Sequence, residues 1–165
     1  MGVFDKLFKV SESKTKELNL TKEEAFVGII LSSVAVDEVI DKEELLVVSH
    51  TLGRMRAFRR FPPEQVVNMM NTFLQIIRRE GVGNIVDAAK RCLNKDMRET
   101  AFALAVDIIL ADGVVEQKEK EFLEKLQEVL GLAPELAKKI VEVMIIKNKE
   151  AGDDFSPDKA ARFYG

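Results

Sequence analysis

The sequence predicts an all-α protein, a single compact bundle of about seven helices built on two helix–acidic turn–helix repeats. Three observations carry this prediction. The 165 residues include no Trp and only 4 Pro, and they are rich in Leu, Ala, Glu and Lys, which favour helices. No stretch sustains a two-residue alternation of apolar and polar side chains, so no strand is expected. A pattern of apolar helix, acidic turn and amphipathic helix occurs twice along the chain.

Start and stop signals divide the chain into helices. Capping boxes are predicted at Thr21-x-x-Glu24, Asp41-x-x-Glu44 and Asp96-x-x-Glu99,, and Pro62-Pro63, Pro134 and Pro157 stand at or near first turns,. The predicted stops are Gly53, Gly81, Gly83 and Gly131,. Together with the apolar periodicity, these signals predict helices over 22–36, 42–59, 63–80, 84–94, 97–111, 116–130 and 134–148,.

The composition indicates one ordered globular domain. Hydrophobic residues make up 47% and charged residues 32% of the chain, which is unlike a disordered sequence. The longest apolar run, 25–36, is too short to span a bilayer,. The start "MGVFDKLFKV" has charges where a secretory signal needs an apolar region,. The lone Cys92 excludes an intramolecular disulfide and suits a reducing compartment, so we expect a cytoplasmic protein,.

Three regions are expected along the chain. Residues 1–19 form an N-terminal amphipathic or flexible segment, with Phe4, Leu7 and Phe8 on one helical side. Such a segment either rests weakly on a membrane surface or packs on its own domain. Residues 20–148 form the helical domain, and 149–165 form a polar C-terminal tail.

The sequence argues against an enzyme. One His and one Cys cannot build the usual Cys/His zinc site,, and phosphate-binding, nucleophile-elbow and dinucleotide motifs are missing,. The paired carboxylates of the turns suit acid/base chemistry, but no nucleophile, cofactor motif or positioned histidine accompanies them. His50 and Cys92 are interpreted as packing residues.

The repeat becomes visible when residues 36–44 are aligned with residues 111–119. "VDEVIDKEE" then lies over "ADGVVEQKE". The acidic positions coincide in three pairs, which are Asp37 with Asp112, Asp41 with Glu116, and Glu44 with Glu119. The helix pairs 22–36/42–59 and 97–111/116–130 are therefore expected to be related by a pseudo-twofold rotation.

The second acidic turn resembles part of a calcium-binding loop. Asp112, Gly113, Val115 and Glu119 match positions 5, 6, 8 and 12 of an EF-hand,. A full EF-hand is rejected in both copies, because the early ligand positions hold residues that cannot ligate or ligate poorly. Those residues are Ile108 and Leu110 in the second copy and Ser33 and Ala35 in the first.

Two interpretations of the acidic turns stay open. A carboxylate at the end of a buried helix lies beside carbonyls at the negative end of the helix dipole, where a cation is stabilised. With a second carboxylate in the next helix, this makes an oxygen-rich corner suited to Ca²⁺ or Mg²⁺. In the alternative, the Asp residues bind loop amides, and Asp41 with Glu44 only caps a helix,.

The doubled pattern, with "LADGVVEQKEKEFLEKLQEVLGL" its clearer copy, resembles the TerB-like domain of tellurite-resistance proteins over roughly residues 20–147. The second copy matches the family's A-D-G-x-(I/V)-x-x-x-E pattern, whereas the first has Glu38 where the family usually has Gly. The resemblance implies a seven-helix fold and a cytoplasmic or membrane-peripheral role in stress response, without established enzymatic activity. It also implies a protein partner, for which an inner-membrane TerC-like protein is a candidate. The metal site that it implies consists of Asp37, Asp41, Glu44, Asp112, Glu116 and Glu119.

A basic stretch suggests a rival function. Between residues 54 and 91, eight basic residues stand against three acidic ones, although the whole chain has a net charge of −3. The candidate partner-binding residues are Arg54, Arg56, Arg59 and Arg60. A sequence pI near 5.4 argues against a dedicated nucleic-acid binder,. The rival is therefore a metal-free scaffold that docks on a membrane protein, a lipid or another anionic partner through this basic face.

Overall fold

Seven α-helices form the part of the chain that the computed structural model describes, namely residues 17–37, 40–113 and 115–149. The helices are α1 (Lys22–Val34), α2 (Lys42–Arg54), α3 (Pro63–Glu80), α4 (Gly83–Cys92), α5 (Lys95–Ile109), α6 (Gln117–Leu130) and α7 (Pro134–Lys147). Short 3₁₀ turns, η1 (Ala35–Asp37), η2 (Arg56–Phe58) and η3 (Leu110–Asp112), follow α1, α2 and α5. These residues contain no strand, which confirms the all-α prediction. None of their helices combines the length and apolarity needed to cross a membrane.

The helix predicted over 42–59 is too long. The structure ends α2 at Arg54, because Met55 takes an extended conformation with φ −73° and ψ 136°. The chain then turns through η2 and places Phe58 in the core with 2% exposure. Gly53, predicted as a stop, lies one residue before the observed end.

Two other local predictions need correction. Asn94, not Asp96, caps α5, and its side chain accepts the N–H of Met97 at 3.0 Å. Gly83 was expected to end a helix but begins α4. The observed stop is the other predicted glycine, Gly81, whose φ of 80° lies in a region that favours glycine,.

The core is organised around α1. Ten of its 13 residues are buried, and α3, α4 and α5 all pack against it. A helix that is apolar on most sides, as "AFVGIILSSV" is, gains most when neighbours surround it. Ser32 and Ser33 are tolerated there because their hydroxyls donate to the carbonyls of Gly28 (2.7 Å) and Ile29 (3.0 Å),.

The order of elements repeats along the chain. In both halves an α-helix runs into a three-residue 3₁₀ turn and a short loop before the next helix. The alignment of the two acidic turns also pairs the helix ends, Val34 with Ile109, and the following helix starts, Lys42 with Gln117. The rotation that relates the two pairs stays a prediction.

Gly28 sets how closely α4 approaches α1. A Cβ atom at Gly28 would lie 2.6 Å from Cγ2 of Ile85, a residue with 0% exposure. At Gly53, which is also helical, an added Cβ meets nothing within 4 Å. Alanine substitutions at the two glycines therefore distinguish the effect of helix packing on stability from the effect of helix propensity.

We predict opposite effects for the two Gly→Ala substitutions. Gly28→Ala should destabilise the protein by about 1–3 kcal/mol, because the methyl group overpacks the α1–α4 contact. Gly53→Ala should be neutral or stabilising by up to about 1 kcal/mol, because Ala is the better helix former. Urea denaturation of both variants measures the difference. Equal stabilisation by the two substitutions would show that α4 does not approach α1 so closely.

Candidate cation site between the two acidic turns

The two acidic turns contribute to one small cavity, which we name the acidic corner. Its volume is about 130 Å³. Its lining residues come from α1, α2, α5, η3 and α6, and they are Ser33, Val34, Glu44, Val47, Ile108, Ile109, Ala111 and Glu119. The fold thus brings Glu44 and Glu119, which are aligned with each other in the sequence comparison of the two acidic turns, to the same cavity. In addition, α6 packs against η1.

A capping box at the start of α2 positions Glu44. Oδ1 of Asp41 accepts the N–H groups of Glu43 (2.6 Å) and Glu44 (3.1 Å). In return, Oε2 of Glu44 accepts the N–H of Asp41 at 3.0 Å. The predicted capping box is confirmed, so this part of the alternative interpretation is correct.

The second turn has a capping box that the sequence analysis missed. Glu116 and Glu119 form it at the start of α6, and Oε2 of Glu119 accepts the N–H of Glu116 at 2.9 Å. Glu is an unusual N-cap residue, but the shared spacing with Asp41 and Glu44 was a signal that could have revealed it. Before it, Gly113 takes the left-handed conformation with φ 75°, which glycine adopts without strain.

The six predicted metal ligands divide into three groups. Glu44 is half-buried and Glu119 is 6% exposed, and both line the corner. Asp41 and Glu116 are exposed N-caps that do not line it, and Glu116 forms an ion pair with Lys118 at 3.4 Å. The side chains of Asp37 and Asp112 lie outside the described part of the structure. Among the side chains that are described, no three His, Cys, Asp or Glu residues group closely enough to hold a metal ion.

The electrostatics of the corner combine two kinds of helix end. The C-terminal ends of α1 and α5 bring carbonyl groups and negative dipole ends, which favour a cation. The starts of α2 and α6 bring Glu44 and Glu119, whose capping bonds engage Oε2 of each carboxylate. A carboxylate has two oxygens, each of which accepts more than one hydrogen bond. The corner is therefore rich in oxygen acceptors with partial or full negative charge.

The predicted partner-binding arginines are all exposed. Arg60 forms an ion pair with Glu23 of α1 and lies 5.0 Å from the centre of the Phe61 ring. The ion pair connects the turn that follows η2 to α1. Arg54, Arg56 and Arg59 make no ion pair with any residue in the described ranges. Three of the four charges thus face solvent without a partner there.

The single Cys and His differ in their surroundings. Cys92 is half-buried, and its thiol donates to the carbonyl of Thr21 at a Sγ–O distance of 3.8 Å. Burial raises the pKa of this thiol, so it is a poor nucleophile at neutral pH. This agrees with a packing role. His50 is exposed on α2, so the interpretation of His50 as a packing residue is wrong.

Substitutions at Glu44 should separate its capping function from its charge. Glu44→Gln keeps an oxygen that can accept the N–H of Asp41 and should be nearly neutral. Glu44→Ala removes the acceptor and should cost about 0.5–1.5 kcal/mol. Urea denaturation at neutral pH compares the two variants. Equal stability of the Ala and Gln variants would show that the hydrogen bond contributes nothing.

No family model, no curated protein and no solved structure is similar to this chain beyond chance. The TerB-like resemblance therefore stays a prediction that rests on the doubled sequence pattern over roughly residues 20–147. The geometry of the acidic corner is accordingly the main guide to function.

Proposed function

We propose that the protein is a non-enzymatic, TerB-like binding module that takes a divalent cation, Ca²⁺ or Mg²⁺, weakly at the acidic corner. The observation that carries this proposal is the meeting of Glu44 and Glu119 at one cavity. They occupy equivalent positions of the two repeats, although they lie far apart along the chain. A duplicated unit that brings its matching carboxylates together suits a ligand held by both copies.

The chemistry of the corner suits a hard cation. Ca²⁺ takes six to eight oxygen ligands, and Mg²⁺ keeps several of its waters. Glu44 and Glu119 would supply carboxylate oxygens, the ends of α1 and α5 would supply carbonyl oxygens, and water would complete the shell. In this proposal Asp37 and Asp112 add charge, as the TerB-like resemblance implies, while Asp41 and Glu116 hold the helix starts. With so few carboxylates the affinity should resemble weak calcium modules, with a Kd of about 10⁻⁴–10⁻³ M.

In the proposed role, cation binding holds the ends of four helices together. The two helix–turn–helix units are then copies that share one ligand. The module would present a cation-dependent surface to a protein partner in a stress-response complex, such as the TerC-like membrane protein that the resemblance implies. A cytoplasmic location, or one peripheral to a membrane, belongs to the same proposal.

A second candidate function is a metal-free scaffold for an anionic partner. The observation that favours it is the exposure of Arg54, Arg56 and Arg59 without an ion pair to the described residues. Arginines in this state attract phosphate and carboxylate groups at low energetic cost, because no internal partner has to be displaced. An anionic lipid surface and an acidic protein segment both present such groups.

The cation proposal predicts a stabilisation that depends on the metal. When Ca²⁺ or Mg²⁺ reaches about 100 times its Kd, binding adds about 2.7 kcal/mol, or about 5–11 °C in melting temperature. Asp112→Asn combined with Glu119→Gln should abolish this increment. Without metal the double variant should be at least as stable as the parent, because mutually repelling charges are neutralised.

A matched control removes the same charge from the same region. Glu124→Gln combined with Glu128→Gln changes two exposed carboxylates farther along α6 and should keep the full increment. Differential scanning calorimetry over a cation series measures all three proteins. If the parent melts at the same temperature with and without about 10 mM cation, the corner is only a pair of helix caps.

The scaffold proposal predicts a loss of binding without loss of stability. Replacing Arg54, Arg56, Arg59 and Arg60 by Gln should change stability by no more than about 1 kcal/mol, because exposed ion pairs contribute little. Cosedimentation with vesicles that contain anionic lipid should fall and lose most of its salt dependence. The matched control is Arg78→Gln with Arg79→Gln at the end of α3. Unchanged binding by the quadruple variant would remove the basic face from the function.

A further inference from the structure

A second, larger cavity adjoins the acidic corner. It is an open groove of about 830 Å³ between α2 and α5, with the end of α7 at its margin. Leu46 and Val47 on α2 and Leu104 and Ile108 on α5 line it. Leu46 is 68% exposed and Val47 is 49% exposed. Large apolar side chains that share an open groove often mark a surface that another segment covers.

The corresponding groove in the other half of the fold is filled. When the two repeats are aligned, α1 corresponds to α5, and α2 corresponds to α6. The counterpart of the open groove therefore lies between α1 and α6. Helix α4, which directly precedes α5 in the chain, packs against both α1 and α6.

Individual positions show the same asymmetry. The counterpart of Val47 is Phe122, and the counterpart of Thr51 is Leu126. Phe122 and Leu126 both have 0% exposure, whereas Val47 and Thr51 line the open groove. On the other wall, the counterpart of Ile108 is the buried Ser33. The equivalent faces are covered in one half and open in the other.

The chain order indicates what is missing. Since α4 lies between α3 and α5, the segment that covers the open groove should either precede α1 or follow α7, and the first of these is the better candidate. That segment is residues 1–16, which lie outside the described part of the structure. It carries Phe4, Leu7 and Phe8 at helical spacing i, i+3 and i+4, which places the three side chains on one face of a helix.

We propose that the N-terminal segment of the chain docks as an amphipathic helix in this groove, with Phe4, Leu7 and Phe8 against Val47 and Ile108. The inference rests on the equivalence of the two halves and not on cation binding. Continued without gaps, the alignment of the repeats would place the counterpart of α4 at residues 8–17. The proposed helix around Phe4, Leu7 and Phe8 lies a few residues earlier in the chain. The segment that connects this helix to α1 must therefore be longer than the segment that connects α4 to α5.

The connection is long enough. Arg91 pairs with Glu17 at 3.8 Å and donates to the carbonyl of Leu18 at 3.4 Å, so the chain reaches α1 beside the end of α4. The nine residues back to Phe8 span up to about 30 Å when extended. The 13-residue α1 is about 20 Å long,, so the segment can reach along the whole bundle.

The C-terminal tail is the competing occupant, because Lys147 and Asn148 line the groove. Lys147 is held there by Asp107 at 2.8 Å. In the tail, Phe163 and Tyr164 are adjacent in sequence and Phe155 precedes Pro157, so these residues do not form an i, i+3 and i+4 cluster like that of Phe4, Leu7 and Phe8. The alignment of the repeats also places residues 158–165 of the tail over residues 83–90 of α4, so the repeat by itself does not separate the two occupants. The N-terminal segment fits better because its three large apolar side chains share one helical face.

Cysteine cross-linking of the full chain tests the proposal. In a Cys92→Ser background, Leu7→Cys is combined with Val47→Cys in the groove. The control combines Leu7→Cys with Val67→Cys on α3, a valine of similar exposure (43% against 49%). After mild oxidation, peptide mapping under non-reducing conditions should show an intramolecular disulfide in most molecules of the groove pair. The control pair should form it at least ten times more slowly.

Each other result of this experiment overturns the proposal. Equal rates for the two pairs, or no disulfide in either, show that the segment has no preference for the groove. A disulfide between two chains assigns the groove to a second copy. If Tyr164→Cys rather than Leu7→Cys cross-links to Val47→Cys, the tail is the occupant.

A thermodynamic cycle gives a second readout without cysteines. Leu7→Ser and Val47→Ser should each lower the melting temperature, and the double variant should fall by less than the sum, because the two side chains share one contact. Leu7→Ser with Val67→Ser should be additive. Additivity of both pairs contradicts docking in the groove.

Discussion

The burial of α1 on nearly all sides is the constraint on which the rest of this structure depends. A helix with ten buried residues out of 13 needs neighbours around its circumference, and α3, α4 and α5 supply them. At Gly28 the absent side chain leaves room for Ile85 of α4. A side chain at position 28 would force α4 to move away from α1, and α4 would then no longer fill the groove between α1 and α6.

The burial of α1 also affects the carbonyl groups at its C-terminal end. The last turn of a buried helix carries carbonyl groups that have no helical partner, and in this fold α5 ends at the same cavity. The 3₁₀ turns η1 and η3 follow these two helix ends. Helices α2 and α6 then begin, each with a capping box. The glutamates that complete these boxes satisfy backbone N–H groups and at the same time face the corner. Structural capping and the proposed cation binding would use the same side chains, which is why the motif alone could not separate the two interpretations.

The groove between α1 and α6 and the groove between α5 and α2, which the sequence alignment pairs, are covered to different extents. In one half α4 fills the groove between α1 and α6, and the equivalent positions Phe122 and Leu126 are large and buried. In the other half the matching positions are the smaller Val47 and Thr51, which line an open groove. The smaller side chains lower the cost of exposure, since the hydrophobic free energy scales with the apolar area in contact with water. Covering this groove would therefore gain less hydrophobic free energy than the burial of Phe122 and Leu126 does.

By itself the sequence determined the helices and most of their boundaries. Capping side chains, prolines and glycines act through hydrogen bonds and backbone preferences within a few residues, so the start of α2 at Lys42 and the end of α3 before Gly81 were readable from local pattern. For the end of α2 the local signals disagreed: Gly53 marked it to within one residue, whereas the apolar periodicity continued to residue 59 because Phe58 is buried in the core beyond the extended Met55. Only the tertiary structure decided that Glu44 and Glu119 share a cavity, that Glu119 is nearly buried, and that His50 is exposed. These outcomes depend on the packing of helices that are distant in the chain, where the free energy comes from the combined contacts of many side chains and no short motif encodes it.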